Sequence, residues 1–145
     1  MPPDSLKKLE TIRKMAITSS QRELNKCQQY EAAVAYHIKL NEQLAQTNEP
    51  RRDDFERRPA MVNMLHEYSE KLRRRAKVLT QHLPIAQNNT QEARLALTGA
   101  RVALKAVEEL ALQRKRLEQA KRDQRDQNEL EDVARGLMQA KIGSR

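Results

Sequence analysis

Apolar residues recur at every third or fourth position over most of this chain, with polar residues between them. This spacing is typical of an α-helix with one apolar face. One such stretch covers residues 4–47 and a longer one covers residues 60–142, whereas residues 48–59 lack the pattern. The sequence therefore predicts a single domain over residues 1–145. Its expected fold is all-α, an antiparallel two-helix coiled-coil hairpin with a longer second helix.

The first stretch carries a seam that advances by steps of three and four residues, as in a coiled coil. Its predicted members are Leu6, Glu10, Arg13, Ile17, Ser20, Leu24, Cys27, Glu31, Val34, Ile38, Asn41 and Ala45. A second line, which widens the predicted buried face, consists of Tyr30, Ala33, His37, Leu40 and Leu44. The polar members of the seam predict a weak zipper.

The seam of the second stretch is predicted to be interrupted at Pro84. Its members before the proline are Leu65, Tyr68, Leu72, Ala76 or Arg75, Leu79 and Leu83, and after it Ala93, Leu97, Ala100, Leu104, Val107 and Ala111. A proline inside a helix costs about 3 kcal/mol. Two architectures stay open: the helix kinks and continues, or it breaks and folds back into a three-helix bundle of the spectrin kind. In the hairpin, pairing ends near residue 100, and residues from about Leu104 onward lack a partner.

The composition favours an extended helical protein over an enzyme. The 145 residues include one Phe and no Trp, and apolar residues make up 38%. No Cys/His spacing suits a metal and no glycine-rich loop suits a phosphate, so we expect no catalysis and no cofactor. The lone Cys27 predicts no internal disulfide, and the lack of a long apolar run predicts a cytoplasmic location.

Positive charge is concentrated in the middle of the chain. The net charge is +8, and residues 51–85 contain 9 basic and 5 acidic residues. The densest run lies between Lys71 and Lys77. Such a zone fits either a nucleic acid or an acidic protein partner, and no aromatic interleaving accompanies it to favour a nucleic acid.

The C-terminal third contains three motifs: Lys105-Ala106-Val107-Glu108-Glu109-Leu110, Arg125-Asp126-Gln127-Asn128-Glu129-Leu130-Glu131-Asp132-Val133 and Gly136-Leu137-Met138-Gln139-Ala140. These motifs carry a resemblance to the flagellar export protein FliJ family and its YscO-type virulence-secretion relatives. It covers the chain in outline and residues 102–140 in recognisable motifs. Pro84 departs from the smooth helix that the family pattern implies.

The resemblance implies a non-enzymatic stalk of the type III protein export apparatus, located at the cytoplasmic side of the flagellar or secretion-system base. Its implied partners are a hexameric export ATPase, a membrane export gate protein and export chaperones. Matching motifs suggest ATPase-side contacts at Arg125, Gln127, Glu129, Leu130, Val133, Leu137 and Met138. Position alone suggests gate-side contacts near the turn at Tyr68, Leu72, Arg73, Arg74 and Arg75.

Each of these assignments has a structural alternative. Leu130, Val133 and Leu137 also suit packing against helix 1 or a homodimer seam. Tyr68 and Leu72 also suit the core of the hairpin, because both lie on the predicted seam. The runner-up function is a basic helical adaptor that binds nucleic acid or self-associates.

Overall fold

A computed structural model describes residues 3–143 and contains three helices: α1 (Pro3–Thr47), α2 (Arg52–Arg57) and α3 (Pro59–Gly143). No strand is present among these residues, so the protein is all-α, as predicted. The bounds of α1 and α3 lie within one residue of the predicted 4–47 and 60–142.

The region predicted as the turn, residues 48–59, contains α2. The Arg51 N–H donates to Asp54 Oδ2 over 2.9 Å, and the Asp54 N–H donates to the Arg51 carbonyl over 2.9 Å. These bonds begin the helix, and the Arg58 N–H ends it by donating to the Asp54 carbonyl. Six residues make fewer than two helical turns, which is too short for a recognisable apolar period.

α3 continues through Pro84, so the predicted alternative of a break and fold-back is wrong. The seam does not stop there either, because Ala86 and Thr90 are both about 1% exposed and fill the positions between Leu83 and Ala93. Pro84 itself is exposed. Its missing N–H therefore affects the solvent side of the helix, while the buried side packs without interruption.

Contacts divide the chain into a central unit, residues 15–101, and a terminal unit, residues 1–14 with 102–145. In the central unit, α1 and α3 run in opposite directions along their contact. Close to the turn, Ser69 Oγ donates to the Ala45 carbonyl over 3.0 Å. Further away, Leu24 packs with Ala93 and Leu97, and these three form the core cluster of the unit.

The core of the central unit is narrow and built from small side chains. Its buried members are Leu24, Val34, Ala45, Ser69, Leu72, Ala76, Ala86, Thr90, Ala93 and Leu97. Ser69, which has no exposed surface, occupies the seam position that was predicted for Tyr68. The predicted second line on α1 is largely wrong, because Tyr30, Ala33 and His37 are exposed.

In the terminal unit, the start of α1 meets α3 well beyond residue 100. Leu6 and Val107 are buried, and a cleft of about 240 Å³ is lined by Leu6, Lys7, Glu10, Ala111, Arg114, Lys115 and Glu118. The predicted overhang from Leu104 is therefore wrong, and continuous exposure begins at Lys115. The exposed part of α3 begins later than predicted because Ala45 faces Ser69. This pairing leaves the first turns of α3 beyond the C-terminal end of α1.

Candidate partner-binding surfaces

The last part of α3, residues 115–143, is exposed throughout and is called the C-terminal segment below. It contains all seven predicted ATPase-side residues, among them Arg125, Gln127 and Glu129. Leu130 is 71% exposed and Leu137 is 68% exposed. These side chains do not pack against α1, so that structural alternative is wrong, and they remain available for another molecule.

The apolar residues of this segment do not extend the seam of the terminal unit. That seam passes through Val107, Ala111 and Arg114, and the same spacing continues through Glu118, Lys121, Arg125, Asn128, Asp132, Arg135 and Gln139. Leu130, Val133 and Leu137 instead lie roughly 150° around the helix from it. We call these three residues the C-terminal stripe, a separate apolar surface with acidic neighbours.

The five predicted gate-side residues near the turn differ in their availability. Leu72 is 3% exposed and belongs to the core, as the structural alternative proposed. Tyr68 is 47% exposed, so its predicted place in the core is wrong. Arg74 and Arg75 are exposed and form no ion pair within residues 3–143. Tyr68, Arg74 and Arg75 therefore remain accessible to a partner.

Arg73 has a structural role near the turn. Its guanidinium forms ion pairs with Glu49, just after α1, and with Glu70 over 3.2 Å. The hydrogen bond from Arg73 to the Glu49 carboxylate is the main reason that the pKa of Arg73 is raised. His66 Nδ1 lies 4.0 Å from the same Glu49 carboxylate. Arg73 thus connects α3 to the end of α1 and is engaged already.

Tyr68 belongs to a second surface that the sequence reasoning missed. Exposed residues follow one another along α3 by steps of three and four, at Met61, Met64, Tyr68, Lys71, Arg75 and Val78. We call this set the basic stripe. In the sequence the basic stripe forms a second helical period beside the seam, and a prediction based on one buried face does not include it.

Beside the basic stripe, a groove of about 580 Å³ runs between α1 and α3. It is lined by His37, Asn41, Lys71, Arg74, Arg75, Val78 and Leu79, a set without a carboxylate. The ring of Tyr36 approaches His37 edge-on, with 5.4 Å between the ring centroids. Guanidinium groups beside aliphatic side chains suit an anionic segment that also presents an apolar residue.

Within residues 3–143, no group of three or more His, Cys, Asp or Glu side chains could hold a metal ion. Every buried side-chain nitrogen or oxygen in that range has a hydrogen-bond partner. The helices there also lack any stretch with the length and apolarity needed to cross a membrane.

Comparison with known proteins adds no relative to this description. No family model, no curated protein and no solved structure matches the chain. The candidate surfaces are therefore interpreted from their own geometry and charge.

Proposed function

We propose that the chain is a non-enzymatic stalk of a flagellar or type III protein export apparatus. In this proposal α1 and α3 form an antiparallel coiled-coil hairpin, and the C-terminal segment binds a hexameric export ATPase. The basic stripe faces a membrane export gate protein, and export chaperones use the same helical surfaces. The motifs in residues 102–140 suggest this machine, and the exposed C-terminal segment supports the interaction.

The single observation that carries the proposal is the C-terminal stripe on a helix without an intramolecular partner. Large aliphatic residues at Leu130, Val133 and Leu137 are exposed together, whereas the positions that continue the seam on the other face of the helix are polar. A soluble helix rarely keeps such residues together on one face unless another molecule covers them. The acidic and basic residues around the stripe provide specificity at the rim of such a contact.

The direct test is co-purification with the export ATPase of the same organism, combined with an assay of ATP hydrolysis. We expect the intact chain to bind the ATPase and to stimulate hydrolysis. Replacing Leu130 and Leu137 with Ser should weaken binding at least tenfold. Asn128→Ser with Gln139→Ser is the matched control, because both residues lie on the opposite face of the same helix. No binding by the intact chain, or equal losses in both variants, would contradict the proposal.

A second candidate function is nucleic-acid binding at the basic groove, because Lys71, Arg74 and Arg75 have no carboxylate partner there. If this function is correct, the chain should be retained on duplex DNA, with an affinity that falls steeply as salt increases. Arg74→Gln with Arg75→Gln should reduce the slope of log affinity against log salt concentration by an amount that corresponds to about two phosphate contacts. Absence of DNA binding at low salt would remove this candidate.

A further inference from the structure

We propose that the C-terminal stripe of one molecule docks antiparallel on the basic stripe of a second copy of this chain. This inference concerns self-association and does not rest on the proposed function, although it uses the same two surfaces. The occupant is identified by its spacing, its charge and its length.

The spacing of the two stripes matches when one of them is reversed. Along α3 the basic stripe advances from Met61 by three, four, three and four residues to Arg75. Read backwards from Ala140, the C-terminal segment passes Leu137, Val133, Leu130 and Asp126 in the same steps. Antiparallel helices with this common period keep their facing residues in register over several turns.

This register places apolar residues opposite apolar residues at one end of the contact. The facing pairs there are Met61 with Ala140, Met64 with Leu137 and Tyr68 with Val133. Met64, Leu137 and Val133 are each at least 60% exposed in the single chain. Their burial against one another supplies the apolar part of the contact.

The other end of the same register is electrostatically complementary. Arg75 faces Asp126, and Lys71 faces Leu130, whose neighbour Glu129 lies on the same side of the helix. Between residues 126 and 133 the side of the helix that carries the stripe presents Asp126 and Glu129 and no basic residue, whereas the groove beside Lys71 contains no carboxylate. Glu67 lies at the outer edge of the basic stripe and is the one opposing charge there. A parallel orientation would place Asp126 against Met61, so neither the apolar residues nor the opposite charges would face each other.

The basic stripe and the surface that it faces on the C-terminal segment also have similar lengths. Residues 61–75 and 126–140 each span about 21 Å at 1.5 Å per residue. A duplex nucleic acid fits this surface less well, because a few cations confined to two helical turns cover only a small part of a phosphate backbone. An acidic apolar helix uses the cations and the methionines together.

Sedimentation of the full-length protein alone tests the proposal. We expect the apparent mass to rise above 16.8 kDa with protein concentration, and to fall back as salt increases. Arg75→Glu and Asp126→Arg should each weaken self-association about tenfold or more. An equimolar mixture of the two variants should regain self-association. In the mixture, the intact Asp126 of one variant can face the intact Arg75 of the other. Gln81→Glu, a charge change at an exposed position outside the stripe, is the matched control.

Cysteine cross-linking between two differently labelled molecules tests the register. In a Cys27→Ser background, Met64→Cys in one copy should form a disulfide with Leu137→Cys in the other, since facing Cβ atoms lie within bonding range. Residue 130 lies about 10 Å along the helix from residue 137, so Leu130→Cys, used in place of Leu137→Cys, should not form a disulfide with Met64→Cys. A monomer at all concentrations, self-association that survives both charge variants, or equal cross-linking at both positions would overturn the proposal.

Discussion

At the scale of single residues, the contact between the helices depends on one small polar side chain. Ser69 has no exposed surface, and its hydroxyl donates to the carbonyl of Ala45. Ala45 is one of the last four residues of α1, which ends at Thr47. The last four carbonyls of a helix have no partner within it. Ser69 therefore satisfies a carbonyl that the interface would otherwise bury without a hydrogen bond.

Ser69→Ala should lower the free energy of unfolding by about 1 to 2 kcal/mol, because the buried Ala45 carbonyl loses its hydroxyl donor. The matched control is Thr98→Ala, which removes a similar hydroxyl-to-carbonyl bond on the exposed side of α3. Both changes gain a little helix propensity, so their difference isolates the buried bond. Urea unfolding followed by circular dichroism gives both values, and equal effects would argue against a special role for Ser69.

The ion pairs of Arg73 act differently, because they lie at the surface. The raised pKa of Arg73 means that its charged form is favoured in the folded state. The resulting stabilisation is complete below the unfolded pKa and is lost only as the pH rises through the folded pKa. Both values lie far above neutrality, so protonation of Arg73 makes no pH switch at the turn.

At the scale of the helices, the sequence predicted the existence of α1 and α3 well and their register less well. A long apolar period identifies a helix regardless of which residues face inward. Tyr68 was chosen for the seam because it is large and apolar, but Ser69, which fits the same steps of three and four, is the residue that is buried. Thr90 and Ala86 were passed over for the same reason, and Pro84 strengthened the impression of an interruption. Small and polar residues carry almost no sequence signal for burial, so only packing revealed them.

Pro84→Ala should raise the free energy of unfolding by about 1 to 3 kcal/mol. The change restores a backbone N–H within α3 and removes the clash of the proline ring, although the unfolded chain also becomes more flexible. Ile85→Ala, at the next and exposed position, serves as the control for a change in side-chain volume. Thermal or urea unfolding measures both, and a destabilised Pro84→Ala variant would show that the proline is required for packing.

Ala86→Leu should lower the free energy of unfolding by about 1 to 3 kcal/mol, because the larger side chain does not fit a position that is 1% exposed. Ala96→Leu introduces the same side chain on the exposed face of α3 and should change stability little. A tolerated Ala86→Leu would mean that the two helices separate readily at this level. Urea unfolding of the two variants decides between these outcomes.

At the scale of the whole molecule, the buried core and the C-terminal stripe lie in different parts of the chain. The buried residues lie between Leu6 and Val107, whereas residues 115–143 contribute none. The sequence predicted that part of α3 has no partner, but it placed the start of that part about ten residues too early. The large aliphatic residues of the C-terminal segment therefore add no buried surface to the single chain.

Ending the chain after Glu118 tests whether the C-terminal segment contributes to the stability of the fold. The shortened protein should unfold at nearly the same urea concentration as the intact one, because the deletion removes no buried side chain. Its total helical signal should fall in proportion to the residues removed, and its self-association and ATPase binding should be lost with the C-terminal stripe. Deleting residues 1–14 provides the comparison, since it removes the buried Leu6 and should lower the unfolding midpoint. A similar loss of stability in both shortened chains would mean that the C-terminal segment stabilises the fold, and that its exposed apolar face serves the chain itself.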